Sequence, residues 1–279
     1  PYDRVADSEW SGVTSNLIAQ HPILGQANLL ERVEFAWDAL WGTRVGSAEV
    51  GVPLRDLKPR AQIVGEFFES LFARGLEMEG GWQRGTSKEK DVLGIGDNER
   101  FGFEIKTSGQ LGGRIYGNRS YAQPGVGGDL DSPARKKRSG YYLTINFTGD
   151  RIYRVRVGWL DSTDWEPQQS DTGQMAGLKA NVYGGKLLDV CGLYYLEAPV
   201  DVIGGIGTGT AERLREARIA TVRDVAELVR TSENVGALKE MLRGRGASRV
   251  AARSARAFLA CEYVAESVRM LTSESAGPG

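Results

Sequence analysis

The sequence contains few of the side chains that bind zinc or act as a catalytic base. Two cysteines, Cys191 and Cys261, and one histidine, His21, occur among its 279 residues. Two cysteines this far apart supply neither a four-ligand zinc site nor a disulfide framework. A Ser-His-Asp hydrolase, a Cys-His protease or a histidine-metal nuclease needs a histidine in its site. Because His21 lies in a stretch of helical pattern, we expect it to pack or to face solvent, which disfavours these classes.

Long apolar segments and a secretion signal are also missing. No stretch reaches the roughly eighteen apolar residues that cross a membrane, and the first residues lack the character of a signal peptide. Apolar residues make up 41% of the chain, charged residues make up 25%, and the formal net charge is −1, as is typical of soluble globular proteins. We therefore expect a cytoplasmic protein with reduced thiols, built from one large domain or two modest ones.

Against this background, the segment from Asp91 to Lys106 has the pattern of a hairpin that carries three charged groups. From Phe101 to Lys106, apolar side chains occupy the odd positions and charged side chains the last two even ones, the alternation of a half-buried strand. A turn at residues 97–100 would place Asp91 opposite Lys106. Glu104 would then be the diagonal neighbour of Asp91, about 7–8 Å away. The pattern thus predicts Asp91, Glu104 and Lys106 on one face.

This combination of groups suits the metal-dependent cleavage of a phosphodiester. Two adjacent carboxylates raise each other's pKa unless a cation lies between them, so Asp91 and Glu104 are candidate ligands of Mg2+. The metal would polarise a phosphoryl oxygen and activate a water, while Lys106 would orient that water or stabilise the developing charge. An ordinary solvated hairpin is the alternative, because a Glu-x-Lys triplet is common in proteins.

The flanking segments predict the rest of a compact core. Residues 8–45 have helical apolar stripes, and residues 61–72 form one amphipathic helix with Ile63, Phe67 and Leu71 along a face. Glu66 and Glu69 are the acids of that helix. We take Glu66 as an auxiliary catalytic acid, with a solvated helix face as the alternative. After a long loop at residues 112–140, two strands are expected at 141–147 and 151–157.

The order of a helix, an acid-bearing hairpin and two further strands resembles the core of the PD-(D/E)XK nuclease superfamily. In that resemblance Asp91 and Glu104 match the two acids and Lys106 the lysine, while Lys90 stands in place of the proline. The segments 103–108, 115–123 and 141–147 are similar to the ScaI-like group of type II restriction endonucleases. The resemblance covers about residues 60–190. It implies an α/β (α+β) fold, with a mixed central sheet flanked by helices, and Mg2+-dependent cleavage of double-stranded DNA at a specific sequence.

Residues 202–228 resemble a helix-hairpin-helix element, a small all-α unit that binds DNA. Gly205-Ile206-Gly207 matches the hairpin, where glycines permit a positive φ. The helix that opens at Thr208, Gly209 and Thr210 would present backbone N–H groups to a phosphate, without reading bases. A second, degenerate copy is formed by Arg243, Gly244, Arg245, Gly246 and Arg249. Residues 239–256 contain six basic side chains and one acidic side chain, and this excess of positive charge favours phosphate binding. A nucleotide-binding loop and a helical bundle for protein contacts are the alternatives.

The resulting prediction has four segments. They are an N-terminal helical segment at 1–55, the nuclease core at 56–198, the helix-hairpin-helix domain at 199–266 and a tail at 267–279. Further candidates for DNA contacts lie in loops that flank the site: Gln110, Asn118, Arg119, Gln123, Arg135, Lys136, Lys137 and Arg138. A palindromic target would call for a homodimer. A structure-specific repair or junction nuclease and a DNA-binding protein without catalysis are the alternative functions.

Overall fold

The computed structural model describes residues 1–86, 88–121, 138–168, 175–203 and 206–231. The chain forms two compact units. The first combines residues 1–109, 113–150 and 155–190, and the second contains residues 110–112, 151–154 and the chain from 191 onward. No helix in the described ranges is long and apolar enough to cross a membrane. The division into four segments made from the sequence stays a prediction.

The described residues form α-helices and β-strands of two to nineteen residues. The helices are α1 (Trp10–Ala19), α2 (Leu29–Gly42), α3 (Ala61–Glu79), α4 (Thr208–Glu216) and α5 (Val222–Thr231). The strands are β1 (Arg44–Val45), β2 (Val52–Pro53), β3 (Trp82–Arg84), β4 (Val92–Gly94), β5 (Phe103–Ser108), β6 (Tyr116–Asn118), β7 (Gly140–Thr148), β8 (Arg151–Leu160), β9 (Trp165–Pro167), β10 (Met175–Leu178) and β11 (Leu187–Asp189). The helical character expected of residues 8–45 is confirmed by α1 and α2, and the two strands expected after residue 140 are confirmed.

A mixed six-stranded sheet forms the centre of the first unit, in the order β11-β8-β7-β5-β4-β3. Strand β5 runs parallel to β7, with Glu104 beside Tyr142 and Lys106 beside Thr144, and antiparallel to β4. Because β5 and β7 are central strands, both of their faces are largely covered, and Phe103, Glu104 and Ile105 are fully buried. The predicted α/β class is confirmed, whereas the half-buried character expected of β5 was wrong.

The loop between β4 and β5 differs from the predicted turn. A 3-10 helix spans Gly96–Phe101, and Val92 pairs with Phe103. The register is therefore shifted by two residues, and its continuation sets Asp91 opposite Glu104 rather than Lys106. Each side chain nevertheless lies on the face of the sheet that was predicted for it, because a shift of two residues preserves the side-chain alternation of a strand.

Helix α3 packs closely against β5 at Gly65. Its apolar positions recur at helical spacing, and it buries Val64, Phe68 and Phe72. At Gly65, an added Cβ would lie 2.3 Å from Thr107 Oγ1 of β5. Glycine therefore lets the helix backbone approach the strand. The residues one turn further along the helix consequently lie near the charged groups of the β4–β5 pair.

His21 is a structural residue of the first unit. Its side chain is fully buried, and its Nδ1 accepts the backbone N–H groups of Ile23 and Leu24 at 3.1 and 3.0 Å. Its Nε2 lies 2.8 Å from the Phe101 carbonyl oxygen. Burial lowers the pKa of His21 to about 4. The packing role expected for this histidine is the one that the structure shows.

The second unit has its own small apolar core. Helices α4 and α5 contribute Ala211, Leu214, Val222 and Val225, which pack with Ile203, Ile206, Ile219 and the segment around Leu196. These two helices lie where the sequence resembles a helix-hairpin-helix element, and that identity stays a prediction. Cys191, the first residue of the continuous part of this unit, is disulfide-bonded, so the reduced thiol expected at this position was wrong; Cys261 lies outside the described residues.

Candidate active site

The three charged residues predicted on the β4–β5 hairpin lie together. Asp91 immediately precedes β4, and its Oδ2 accepts the backbone N–H of Ile105 at 2.8 Å. This bond fixes the aspartate beside the middle of β5. Glu104 and Lys106, two residues apart on that strand, extend toward the same side. The local alternation of the sequence was sufficient to bring these groups together.

Three oxygen atoms lie close to the Lys106 ammonium. Its Nζ lies 2.6 Å from Glu104 Oε1, 2.9 Å from the Ile105 carbonyl oxygen and 3.6 Å from Asp91 Oδ2. The Glu104 side chain is 1% exposed, whereas those of Lys106 and Asp91 are 16% and 19% exposed. The cluster is thus closed on the Glu104 side and reaches solvent on the Asp91 side, where a substrate could approach.

This oxygen set suits a hard divalent cation. Mg2+ is typically bound by one or two carboxylates together with waters and substrate phosphates, and the ammonium shows that a positive charge is stable between these oxygens. Within the described ranges, no group of three or more His, Cys, Asp or Glu side chains is arranged to hold a metal. The candidate ligands are the oxygens around this ammonium, those of Asp91, Glu104 and the Ile105 carbonyl. The remaining coordination positions would be left to water and phosphate.

Lys106 keeps its proton in this environment. Burial opposes its charged form, but the neighbouring carboxylates of Glu104, Asp91 and Glu69 outweigh that effect and raise the pKa of Lys106 above its usual value. An ammonium group donates hydrogen bonds and does not accept a proton. In this arrangement Lys106 can orient a water or stabilise negative charge.

Glu69 is the acid of α3 that joins the cluster. Burial first, and then the charges of Asp91 and Glu104, raise the pKa of Glu69 to about 8. Glu69 follows Gly65 by one helical turn, so the close contact with β5 directs it toward the site. Glu66 is instead exposed, and its Oε1 accepts a hydrogen bond from Gln62 at 3.0 Å. The helical pattern did not distinguish the two acids, because it leaves the rotation of α3 about its axis undetermined.

Tyr121 is a member of the cluster that sequence reasoning missed. It ends a 3-10 helix at Arg119–Tyr121, and its hydroxyl donates to Glu104 Oε1 at 2.6 Å. The Lys106 Nζ lies 5.7 Å from the centre of the Tyr121 ring, within the range of a cation–π contact. Burial and the Glu104 charge raise the pKa of Tyr121, so the phenol remains a donor. The segment 115–123 was singled out as a motif, but nothing in its letters indicated this contact.

The predicted DNA-contacting residues of the first unit have different environments. Asn118 is exposed at the end of β6, and Arg119 begins the 3-10 helix that follows. Arg138 is buried, and its Nη1 donates to the carbonyls of Ser120 and Tyr121 at 2.8 and 3.1 Å. Its guanidinium thus binds backbone inside the protein, contrary to a role at a DNA surface. Gln123, Arg135, Lys136 and Lys137 lie outside the described residues.

In the second unit, Gln110 is exposed, and its carbonyl accepts the Tyr153 hydroxyl. Helix α4 begins at Thr208, with Gly207 as its N-cap at φ −79°, so the positive φ expected of the hairpin is not used at this glycine. Ile206 is buried in the core, while Gly207, Thr208 and Gly209 are exposed and Thr210 is half-buried. Gly205, Arg243, Gly244, Arg245, Gly246 and Arg249 lie outside the described residues.

The chain is similar in sequence to restriction endonucleases. The family model described as ScaI restriction endonuclease matches residues 1–191. The type II restriction enzyme ScaI of Streptomyces caespitosus is 33% identical over 205 residues, an alignment that covers 68% of this chain and 84% of that enzyme. No solved structure matches the chain. The family match includes the N-terminal helices, which the resemblance seen in the sequence had left out. On these grounds the chain belongs to the ScaI restriction endonuclease family, a family of restriction-type deoxyribonucleases.

Proposed function

We propose that this family member is a Mg2+-dependent enzyme of the PD-(D/E)XK type that hydrolyses double-stranded DNA at a specific sequence. The observation that carries the proposal is the convergence of Asp91 Oδ2, Glu104 Oε1 and the Ile105 carbonyl on one cationic position. When bound by these oxygens, Mg2+ would polarise a phosphoryl oxygen and lower the pKa of a water. The family supports a sequence-specific endonuclease, and the oxygen set supports the metal.

Each residue of the cluster then has a distinct task. Lys106, whose ammonium a bound Mg2+ would displace from these oxygens, would donate a hydrogen bond to the attacking water or to the phosphate, whose P–O bond to the leaving oxygen breaks as the new P–O bond forms. Asp91 is fixed by the Ile105 N–H and therefore holds one orientation. Glu69 adds a further carboxyl group whose negative form a bound cation would favour. We assign Glu69, rather than Glu66, as the auxiliary acid.

The direct test is cleavage of unmodified bacteriophage DNA in Mg2+, with EDTA as the metal-free control. We expect discrete fragments whose sequenced ends define one recognition site, and no fragments from the Lys106→Ala or Asp91→Ala variant. Wild-type rates in Asp91→Ala would contradict the assigned site. Cleavage of forked or four-way DNA without discrete fragments from linear DNA would favour the structure-specific alternative.

We further propose that the second unit grips the DNA backbone without reading bases. Helix α4 begins at the exposed Thr208, and the first-turn N–H groups of a helix favour an anion. The family match ends at residue 191, before this unit's helices. Thr208→Glu should weaken DNA binding about equally for all sequences. The variant should not unfold, because an acidic residue at a helix start is compatible with the helix dipole. Unchanged affinity would contradict this role.

A homodimer completes the proposal. A palindromic site presents the same sequence to two protomers related by a two-fold axis, so each active site would cut one strand. Light scattering should then give twice the mass of the chain plus the mass of one duplex when DNA is bound. A monomeric mass both with and without DNA would contradict the dimer and leave the catalytic assignment unaffected.

A further inference from the structure

The Glu104 carboxylate is held by two donors on the same oxygen. Oε1 accepts from Lys106 Nζ at 2.6 Å and from the Tyr121 hydroxyl at 2.6 Å. Short hydrogen bonds to an ionised acceptor are stronger and more directional than bonds between neutral groups. The lysine reaches this oxygen through a long flexible chain, whereas the phenol is rigid. Tyr121 is therefore the partner that can define the orientation of the carboxylate.

Tyr121 is itself fixed from two sides. Its ring contacts the edge of Trp165, with the centroids 4.9 Å apart and the planes at 89°, inside a buried cluster that includes Tyr142 of β7. On the backbone side, Arg138 donates to the carbonyls of Ser120 and Tyr121. The Arg138 carbonyl in turn accepts the Tyr142 hydroxyl at 2.8 Å. These contacts leave the phenol little freedom to turn away from Glu104.

We propose that Tyr121 is a positioning residue that holds Glu104 in the orientation in which it binds the divalent metal, and that Arg138 holds Tyr121. The inference rests on the proposed function, since it takes Glu104 as a metal ligand. Partners that orient metal ligands change metal affinity about 10- to 100-fold when they are removed. A buried phenol with a purely structural task would affect folding stability but not the metal concentration that cleavage requires.

The experiment compares Tyr121→Phe with wild type in two measurements. Binding of Mn2+ to the DNA-free protein is followed by electron paramagnetic resonance of the free ion, and initial cleavage rates are measured over a series of Mg2+ concentrations. We expect the variant to bind Mn2+ about tenfold more weakly. Its cleavage should be slow at low Mg2+ and recover toward the wild-type rate at high Mg2+. Tyr2→Phe is the matched control, because Tyr2 is similarly buried and its hydroxyl bonds to Thr14 at 2.8 Å.

Arg138→Lys provides a second route if Tyr121→Phe does not fold. It retains the charge but not the planar guanidinium, and it should show the same metal-dependent defect with Tyr121 intact. Glu104-dependent Mn2+ binding that is unchanged in the folded variants would overturn this inference alone. So would a cleavage defect that high Mg2+ does not relieve. Equal Mn2+ binding by wild type and Glu104→Ala would instead overturn the proposed function, and this inference with it.

Discussion

The single histidine makes folding stability sensitive to mild acid in a measurable way. His21 is neutral in the folded protein, because its Nδ1 faces two backbone N–H donors and burial lowers its pKa to about 4. In the unfolded chain the same group titrates near 6.5. Below that pH the unfolded state binds a proton that the folded state does not, so stability is lost as the pH falls from about 6.5 to about 4.

The size of the effect follows from the two pKa values. Within that window, the free energy of unfolding should fall by about 1.4 kcal/mol per pH unit on account of His21. The full loss is on the order of 3 kcal/mol, a substantial share of the stability of a typical domain. Other groups, including Glu69 and the surface carboxylates, also titrate. The informative quantity is therefore the difference between wild type and a variant that lacks only the imidazole.

His21→Asn is a suitable variant, since its side-chain oxygen can still accept the N–H groups of Ile23 and Leu24. Urea unfolding of both proteins from pH 7 to pH 5 should show the variant less stable at pH 7, because it loses ring contacts with Phe101, Phe103 and Tyr141. The free energy of unfolding of the variant should also fall less steeply with decreasing pH, by about 1.4 kcal/mol per pH unit. Parallel curves for the two proteins would refute the reasoning, as would a His21 resonance that titrates near pH 6.5 in the folded state.

Three further variants test other parts of the structure. Glu69→Gln should slow DNA cleavage about tenfold or more, whereas Glu66→Gln, on the exposed side of the same helix, should cleave near the wild-type rate; equal rates would contradict the assignment. Gly65→Ala should lower the free energy of unfolding by about 1–3 kcal/mol, because its Cβ would meet Thr107 Oγ1 at 2.3 Å. Adding Thr107→Ala should recover much of that loss in the same urea assay. Lys186→Met should cost about 3–5 kcal/mol, since it leaves the buried Asp164 carboxylate without the ammonium 2.8 Å away; a loss below 1 kcal/mol would show that Asp164 simply becomes protonated.

The parts of the site that could be predicted are those with local causes. Asp91, Glu104 and Lys106 were found because the alternation along a strand determines which side chains share a face, and this holds even when the register shifts by two. The turn was misjudged because residues 96–101 form a 3-10 helix, and their sequence fits a tight turn equally well. Backbone hydrogen bonding, rather than residue type, separates the two conformations.

The parts that could not be predicted depend on contacts between distant segments. Choosing between Glu66 and Glu69 requires the rotation of α3, which the contact of Gly65 with Thr107 sets across 42 positions of sequence. Tyr121 reaches Glu104 from 17 positions away, through a loop without a periodic pattern. Arg138 was grouped with the basic run before it. Its guanidinium instead donates to two backbone carbonyl groups inside the protein, and composition does not reveal these partners.

The contact of Arg138 with Ser120 and Tyr121 also has a consequence for how this protein could change. It brings Tyr121 and Arg138, which are 17 positions apart in the sequence, to one place. The free energy of closing a loop grows only with the logarithm of its length, about 0.6 kcal/mol per doubling. Insertions or deletions between these two residues should therefore cost little in stability. The position of the Glu104 carboxylate would not change.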